Sequence, residues 1–458
     1  MLTIQECQKA RLSRDPRFDG KFFILVKSTG IFCRPVCKVK APLEKNVEYS
    51  PSAIDAMQRG YRPCLRCRPD AAPHSFAWKG VSTSVQRAVH LLTTCLQQDV
   101  STIAARMGIS SRYLHKLMQE NLQIAPKRFR LLHQILLAKR LLQGSNMSVE
   151  QVAQGAGFSS ARQLQTHIKK EMGLSCSQIR QAGKNEHPVT TPETRLFLSY
   201  IGEYDWPLIR DFFAKRAVHQ NERVLQSSIK KVFWIENTPI AVEMEYCADE
   251  KGFEISFDCK HLLHTQAIID HANTMLDLSA NSYVISDALL SAGLQAAEIN
   301  SGIRIPGIND KFEAGVRAIL GQQVSVAAAI NKLNQFQDAL TNDSGAFVRP
   351  EQVLKSDLAF LKMPNARKEA LKNFAQMMSE DPNANFEKWL DIKGIGPWTV
   401  NYVRLRANRE TDVFLDSDLI IKQRIAAFES AGRNLDHKAA APWRSYLTLS
   451  LWNLPKAL

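Results

Sequence analysis

Four cysteines carry the most specific chemical pattern in this sequence. Cys33 and Cys37 are separated by three residues, Cys64 and Cys67 by two, and 26 residues lie between the pairs. Two short cysteine hairpins of that form can wrap a tetrahedral Zn²⁺, and thiolates suit this ion well. Spacing alone favours a structural staple over a reactive centre. Cys7, Cys95, Cys176, Cys247 and Cys259 have no sequence partner and are expected to be small buried hydrophobes. Far down the chain stand Trp398 and Tyr402, four apart and so on one face of a helix, followed by Asp416 and Asp418. The plain expectation for these is core packing by the rings and capping, by either aspartate, of a helix beginning near Leu419.

The elements that must position these residues follow from the whole chain. At 458 residues it exceeds one ordinary core and calls for roughly three domains. Hydrophobic residues make up 45% and charged residues 23%, a near-average balance that excludes wholesale disorder. The net charge of +14 is uneven: residues 1–180 hold 28 Lys and Arg against 11 Asp and Glu, whereas residues 181–458 hold 31 against 34. A basic first half attracts polyanions, of which nucleic acid is the usual one. No segment approaches the roughly 20 apolar residues that span a bilayer, and the opening MLTIQECQKARLSRDPRFDG lacks a signal-peptide core. A cytoplasmic protein of bacterial type is expected, in which reducing conditions keep nine thiols from building a disulfide framework.

Residues 1–78 are rich in Cys, Arg and Pro and read as a small metal-stapled domain with a thin core. Residues 79–181 turn helical, in short helices broken at Gly108, Gly144, Gly157 and Gly173, as in helix-turn-helix units. The polar stretch 182–194, with two prolines, reads as a linker. In 195–280 the runs RLFLSYIG, KKVFWIE, AVEMEY and FEISFD alternate as antiparallel strands do, around one helix near 206–218; residues 281–458 are almost wholly helical. The expected fold class is multidomain α+β: a zinc-stapled domain, an all-α double helix-turn-helix, an antiparallel β subdomain and a helical domain.

The segment Thr29-Gly30-Ile31-Phe32-Cys33-Arg34-Pro35-Val36-Cys37, with Gly60-Tyr61-Arg62-Pro63-Cys64-Leu65-Arg66-Cys67, resembles the Ada methylphosphotriester-repair domain. The resemblance implies that Cys33 accepts a methyl group from a methylated DNA phosphate. Four thiolates around Zn²⁺ have a formal charge of about −2, so a sulfur is rich enough to attack a methyl carbon without a general base. Methylation brings the site to about −1, which lessens repulsion of the DNA backbone and favours binding through Arg34, Arg66 and Arg68. Nothing suggests how the thioether is cleared, so the transfer is stoichiometric. Two tandem stretches, Ser101–Leu114 and Ser148–Gln163, resemble the AraC-type DNA-binding domain. Their recognition helices fall around Ser110–Gln119 and Ser159–Lys169, with Arg112, His115, Arg162 and Gln163 as base-edge or phosphate contacts or, more plainly, solvated surface residues. Cys176 stands where that family usually has proline.

The segment Ile392-Lys393-Gly394-Ile395-Gly396-Pro397-Trp398-Thr399-Val400 resembles the helix-hairpin-helix loop of base-excision DNA glycosylases. There, Gly394 and Gly396 let backbone N–H groups approach a DNA phosphate closely. Tyr204-Asp205-Trp206, the stretch Phe312–Ser325 and Pro442-Trp443-Arg444-Ser445-Tyr446 extend the likeness to AlkA-type 3-methyladenine glycosylases over about residues 195–455. This implies that Asp418, twenty residues beyond Trp398, is the catalytic carboxylate, whereas Asp416 does not match. It also implies a base pocket of Phe212, Trp398, Tyr402 and Trp452, and a wedge at Gln323, where some relatives have leucine. A flipped base made cationic by alkylation is already a good leaving group; it needs electron-rich rings and a carboxylate facing the sugar, not a general acid. Trp398 stands where strand-cutting relatives carry lysine, which implies a monofunctional glycosylase. No cysteine follows Cys259, so no iron–sulfur cluster is expected. The Ada family's other methyl-acceptor site, Pro-Cys-His-Arg, is absent from the sequence, and direct reversal of alkylated guanine oxygen is not expected.

Together these features predict an alkylation-damage protein with one zinc ion, double-stranded DNA carrying alkylation damage as substrate, and promoter DNA and RNA polymerase as further partners. No membrane partner is expected, and the chain should be a monomer. The competing expectation is a transcription factor with a non-catalytic glycosylase-like scaffold, against which Asp418, Trp398 and the Gly394–Gly396 loop argue. A third is a purely structural zinc on an enzyme with a DNA-targeting arm.

Overall fold

The computed structural model describes residues 2–454 apart from 16–17, 20, 38, 51–54, 57–58, 65–66, 68, 70–82, 97, 182–192 and 341–343. It divides into two compact units, Met1–Phe197 with Asp258–Ala267, and Leu198–Phe257 with Ile268–Leu458.

In the first unit, helix Ile4–Ser13 opens with a reciprocal cap between Thr3 and Glu6. Strands β1 (Phe23–Val26), β2 (Ile31–Cys33), β3 (Val47–Ser50) and β4 (Arg62–Pro63) form a sheet in the order β3-β1-β2-β4. The turn from β1 to β2 holds Gly30 at φ +61°, a conformation that glycine adopts without strain. β4 runs parallel to β2, with Ile31 opposite Arg62 and Phe32 opposite Pro63. The thin core expected for residues 1–78 is enlarged from outside: Phe23, Leu25 and Phe32 pack in one cluster with Val85, Leu92, Ile103 and Leu114 of the following helices.

Each recognition helix starts at a serine whose side chain accepts from the N–H three residues on, Ser110 for Ser111–Leu122 and Ser160 for Ala161–Met172. Between the two units of this repeat lies a 19-residue helix, Pro126–Gly144, longer than the short helices expected here. Its Phe129, Leu132, Ile135, Ala138, Leu141 and Leu142 are buried, so tertiary packing sustains it. Gly157, at φ +77°, closes the second turn; a Cβ there would come within 2.7 Å of the Leu96 Cβ.

Strand β5 (Glu193–Ser199) runs across the division of the units. In the second unit β6 (Glu222–Val224), β7 (Ser228–Ile235), β8 (Thr238–Cys247) and β9 (Gly252–Asp258) pair as an antiparallel meander. Helix Trp206–Ala214 is capped by Asp205 and stops short of the expected 218, where the Val218 N–H is taken by the Glu222 carboxylate. The helical remainder encloses a core that includes Phe312, Phe336, Phe374 and Trp389. Against it pack Phe386–Trp389 and Pro397–Arg406, the two arms of the hairpin. Among the described residues no helix is long and apolar enough to cross a membrane.

Candidate functional site

In the first unit the parallel pairing of β2 with β4 positions two of the cysteines. Cys33 ends β2, Cys64 follows β4, and the Cys64 N–H donates to the Phe32 carbonyl at 3.0 Å. The sulfurs of Cys33, Cys37, Cys64 and Cys67 all lie within 4.8 Å of one another; the first three residues are buried and Cys67 is half-buried. A zinc tetrahedron with bonds of about 2.3 Å has edges of about 3.8 Å, so the donor set fits one ion, and the chain binds one zinc through four cysteines. A hydrogen bond from Cys33 holds the Cys67 thiol down to about 6, against the upward push of burial, and the Arg34 N–H adds to this at 3.4 Å from the Cys67 sulfur. The same hydrogen bond, together with burial, pushes the Cys33 thiol up.

Arg34 is half-buried and already paired. Its guanidinium makes a fork-to-fork pair with Asp19, with Nε 2.8 Å from Oδ1, and donates to the Cys67 carbonyl at 3.2 Å. Arg66 and Arg68 lie outside the described residues. Arg112, His115 and Arg162 are exposed on the two recognition helices. Gln163 is exposed as well, and its side-chain oxygen accepts from the N–H and the hydroxyl of Ser159 at the helix start, at 2.9 Å each. Of the five cysteines outside the cluster, Cys7, Cys95 and Cys176 are buried, but Cys247 and Cys259 are only half-buried because they end a strand and begin a short turn of helix near the surface.

In the second unit Asp418 caps helix Leu419–Ser430, its Oδ1 accepting from the N–H groups of Ile420 and Ile421 at 3.0 and 3.2 Å. Two indoles converge on the same carboxylate: Trp398 Nε1 donates to Oδ2 at 2.9 Å, and Trp452 Nε1 to Oδ1 at 3.2 Å. Capping and site geometry are therefore joined in one residue, while Asp416 is exposed. Trp398 stacks on Tyr402, with centroids 5.4 Å apart and planes 21° from parallel. Arg406 lies over the Tyr402 and Phe212 rings, at 5.5 and 4.8 Å, and brings Phe212 into the same group. Phe212, Trp398, Tyr402 and Trp452 are all half-buried, unlike the fully enclosed Trp389 and Trp443 of the core.

The hairpin loop has Gly394 at φ +98° and Gly396 at the start of helix Pro397–Arg406 with no side-chain cap. A Cβ on Gly396 would meet nothing within 4 Å, and no side chain caps the first turn of that helix. Gln323 is exposed and holds φ +57°, a left-handed conformation unusual for a side-chain-bearing residue. Its neighbour Gln322, which sequence patterns had not singled out, donates to the Gly394 carbonyl at 2.9 Å and to the Thr399 hydroxyl at 3.2 Å. It thereby ties the loop of Gln323 to the hairpin. Arg216 was equally invisible: its guanidinium lies 3.7 Å from the centre of the Phe212 ring.

A hairpin of two helices beside an aspartate and clustered rings, in a chain that also carries a tetracysteine centre and paired helix-turn-helix units, defines a DNA-acting repair protein. The chain matches the metal-binding domain of Ada over residues 6–70, a helix-turn-helix domain over 103–182 and the AlkA N-terminal domain over 195–310. It is 29% identical to a probable bifunctional transcriptional activator/DNA repair enzyme AlkA of Mycobacterium tuberculosis, over 98% of this chain and 96% of that one. It is 30% identical to DNA-3-methyladenine glycosylase 2 of Escherichia coli over 56% of this chain and 95% of that enzyme. Against the bifunctional transcriptional activator/DNA repair enzyme Ada of E. coli it is 30% identical over 40% of its own length and 51% of that protein's, and so spans about half of it. The chain belongs to the AlkA-type DNA-3-methyladenine glycosylase family, with an Ada-type zinc domain and an AraC-type helix-turn-helix domain in the same polypeptide.

Proposed function

We propose that this is a two-part alkylation-damage response protein: Cys33 takes a methyl group from a methylated DNA phosphate, and the second unit hydrolyses the N-glycosidic bond of alkylated purines such as 3-methyladenine. The observation that carries the glycosylase half is the Asp418 carboxylate held by two indole N–H groups beside a stack of half-buried rings. Flipped into this pocket, a damaged base lies among Trp398, Tyr402, Trp452 and Phe212 while Asp418 faces the sugar. As the bond to the base breaks, its electron pair leaves with the base and positive charge gathers on the sugar, where a fixed carboxylate is most effective. Water then adds to the sugar carbon. Trp398 supplies no amine for a Schiff base, which supports a monofunctional glycosylase without strand cleavage. Gly394, Gly396 and Gln322 anchor the duplex near Gln323, which enters the vacated stack.

Bound zinc keeps all four cysteines as thiolates at neutral pH. The Cys33 sulfur bonds to the methyl carbon as the carbon–oxygen bond of the phosphotriester breaks, and the electron pair remains on the phosphate oxygen. The loss of one negative charge then favours DNA binding, with Arg112 and Arg162 on the two recognition helices contacting promoter DNA. RNA polymerase is the proposed second partner, and a cytoplasmic monomer the proposed state. Methyl transfer to protein and release of free 3-methyladenine, measured on one zinc-loaded preparation with methylated duplex, test both halves; absence of either activity removes that half of the proposal.

A further inference from the structure

We infer that Arg216 is a specificity-determining residue of the base pocket, one that donates to an acceptor on the far edge of the flipped base and favours neutral purines bearing a carbonyl at that edge. The inference rests on the pocket proposed above.

Three observations lead to it. First, Arg216 and Arg406 both stand on Phe212, at 3.7 and 4.8 Å from its centre; Arg406 also lies 5.5 Å from the centre of Tyr402, Tyr402 stacks on Trp398, and the Trp398 indole donates to Asp418. The pocket therefore has a negative end for the sugar and a positive end for the base. Second, the nearby buried charges are already balanced: Lys231 and Arg317 share Glu222 and Glu313, two cations with two carboxylates. Third, Arg216 lies outside that balance. Among the described residues no carboxylate is within 4.0 Å of its guanidinium, and the one hydrogen bond recorded for its side chain is a 3.4 Å contact with the Phe212 carbonyl. A guanidinium has five N–H donors, and most of these remain for an incoming acceptor. Burial pushes its pKa down only to about 10, so it stays charged at neutral pH.

The consequences differ by base. A permanently cationic base gains from the rings and is opposed by Arg216. A neutral purine such as hypoxanthine presents a carbonyl oxygen and ring nitrogens at the far edge. When its glycosidic bond breaks, the departing base takes the electron pair and becomes anionic until it receives a proton from water, whose hydroxyl adds to the sugar. A guanidinium at that edge stabilises the developing negative charge more than it stabilises the bound ground state.

The test compares the full-length zinc-loaded parent, Arg216→Met and Arg216→Lys in single-turnover release of hypoxanthine from an inosine-containing duplex and of 3-methyladenine from methylated DNA. Arg216→Met is expected to lose roughly 10- to 100-fold more on hypoxanthine than on 3-methyladenine, the worth of a charge-assisted hydrogen bond. Arg216→Lys should recover part of the loss. Equal loss on both bases, parental hypoxanthine release by Arg216→Met, or a parent that releases 3-methyladenine but no hypoxanthine would overturn the assignment. A parent inactive on 3-methyladenine would instead sink the glycosylase proposal beneath it.

Discussion

Trp398 and Asp418, twenty residues apart, meet through an indole N–H 2.9 Å from carboxylate Oδ2, while Oδ1 carries three donors, from Ile420, Ile421 and Trp452. An ionised carboxylate has about four acceptor sites, so Oδ2 is the oxygen with capacity left for the sugar. Replacing Asp418 by Asn keeps a good helix cap but removes the charge. Release of 3-methyladenine should fall by about two orders of magnitude or more, the scale seen when one preorganised electrostatic group is lost. The melting temperature should fall modestly, because the amide NH2 cannot accept from an indole N–H and one of those hydrogen bonds is lost. Near-parental release by Asp418→Asn would transfer the role elsewhere.

The indole contribution is separable from the ring. Trp398→Phe retains a ring to stack on Tyr402 and deletes the donor to Oδ2. A hydrogen bond to a charged group is worth about 1.5–3 kcal/mol, so single-turnover release should drop roughly 10- to 100-fold. Unchanged chemistry in this variant would mean that the N–H does not hold the carboxylate in place.

At the zinc centre, exposure and acceptor role point to different residues, because Cys67 is the most open of the four ligands and Cys33 is buried. Cys33→Ser should abolish transfer of labelled methyl from methylated DNA, whereas Cys67→Ser, with metal restored, should retain some. Zinc content of each sample separates loss of metal from loss of the acceptor. Labelling of Cys33→Ser would move the acceptor, and Cys67 would be the first candidate.

The four-charge cluster beneath the meander makes stability depend on pH. Burial pushes the Glu222 carboxyl up, but Arg317 and Lys231 outweigh it and hold it at about 2, below its ordinary 4.5. A depressed carboxyl stabilises the fold above its unfolded pKa and ceases to do so as pH falls through the folded value. Unfolding free energy should therefore decline from about pH 4.5 towards 2, and Glu222→Gln should flatten that slope. At neutral pH the substitution leaves two buried cations sharing one carboxylate and should cost about 3–5 kcal/mol. Denaturant titrations of both proteins across this pH range measure it.

Local patterns foretold much of this. Paired cysteines, alternating strands, an aspartate cap before Leu419 and the offset from Trp398 to Asp418 are all properties of short windows or fixed spacings. The relations that escaped notice join distant residues whose types are individually ordinary. Arg34 looks like a surface cation until Asp19 folds against it, and Arg216 is one arginine among many until Phe212 lies beneath it. Gln322 matters only because a loop 72 residues on presents the Gly394 carbonyl. The long helix Pro126–Gly144 was missed for a related reason: its apolar residues spread around its surface, since neighbours cover several of its sides.

The strand Arg62–Pro63 pairs with its neighbour over only two rungs, one of them at a proline that has no N–H to give. Backbone pairing this brief cannot hold the second cysteine hairpin in place unaided. Metal capture therefore adds to the closure of that edge of the domain, and a chelator would do more than empty a ligand cage: it would loosen the strand that delivers half of it.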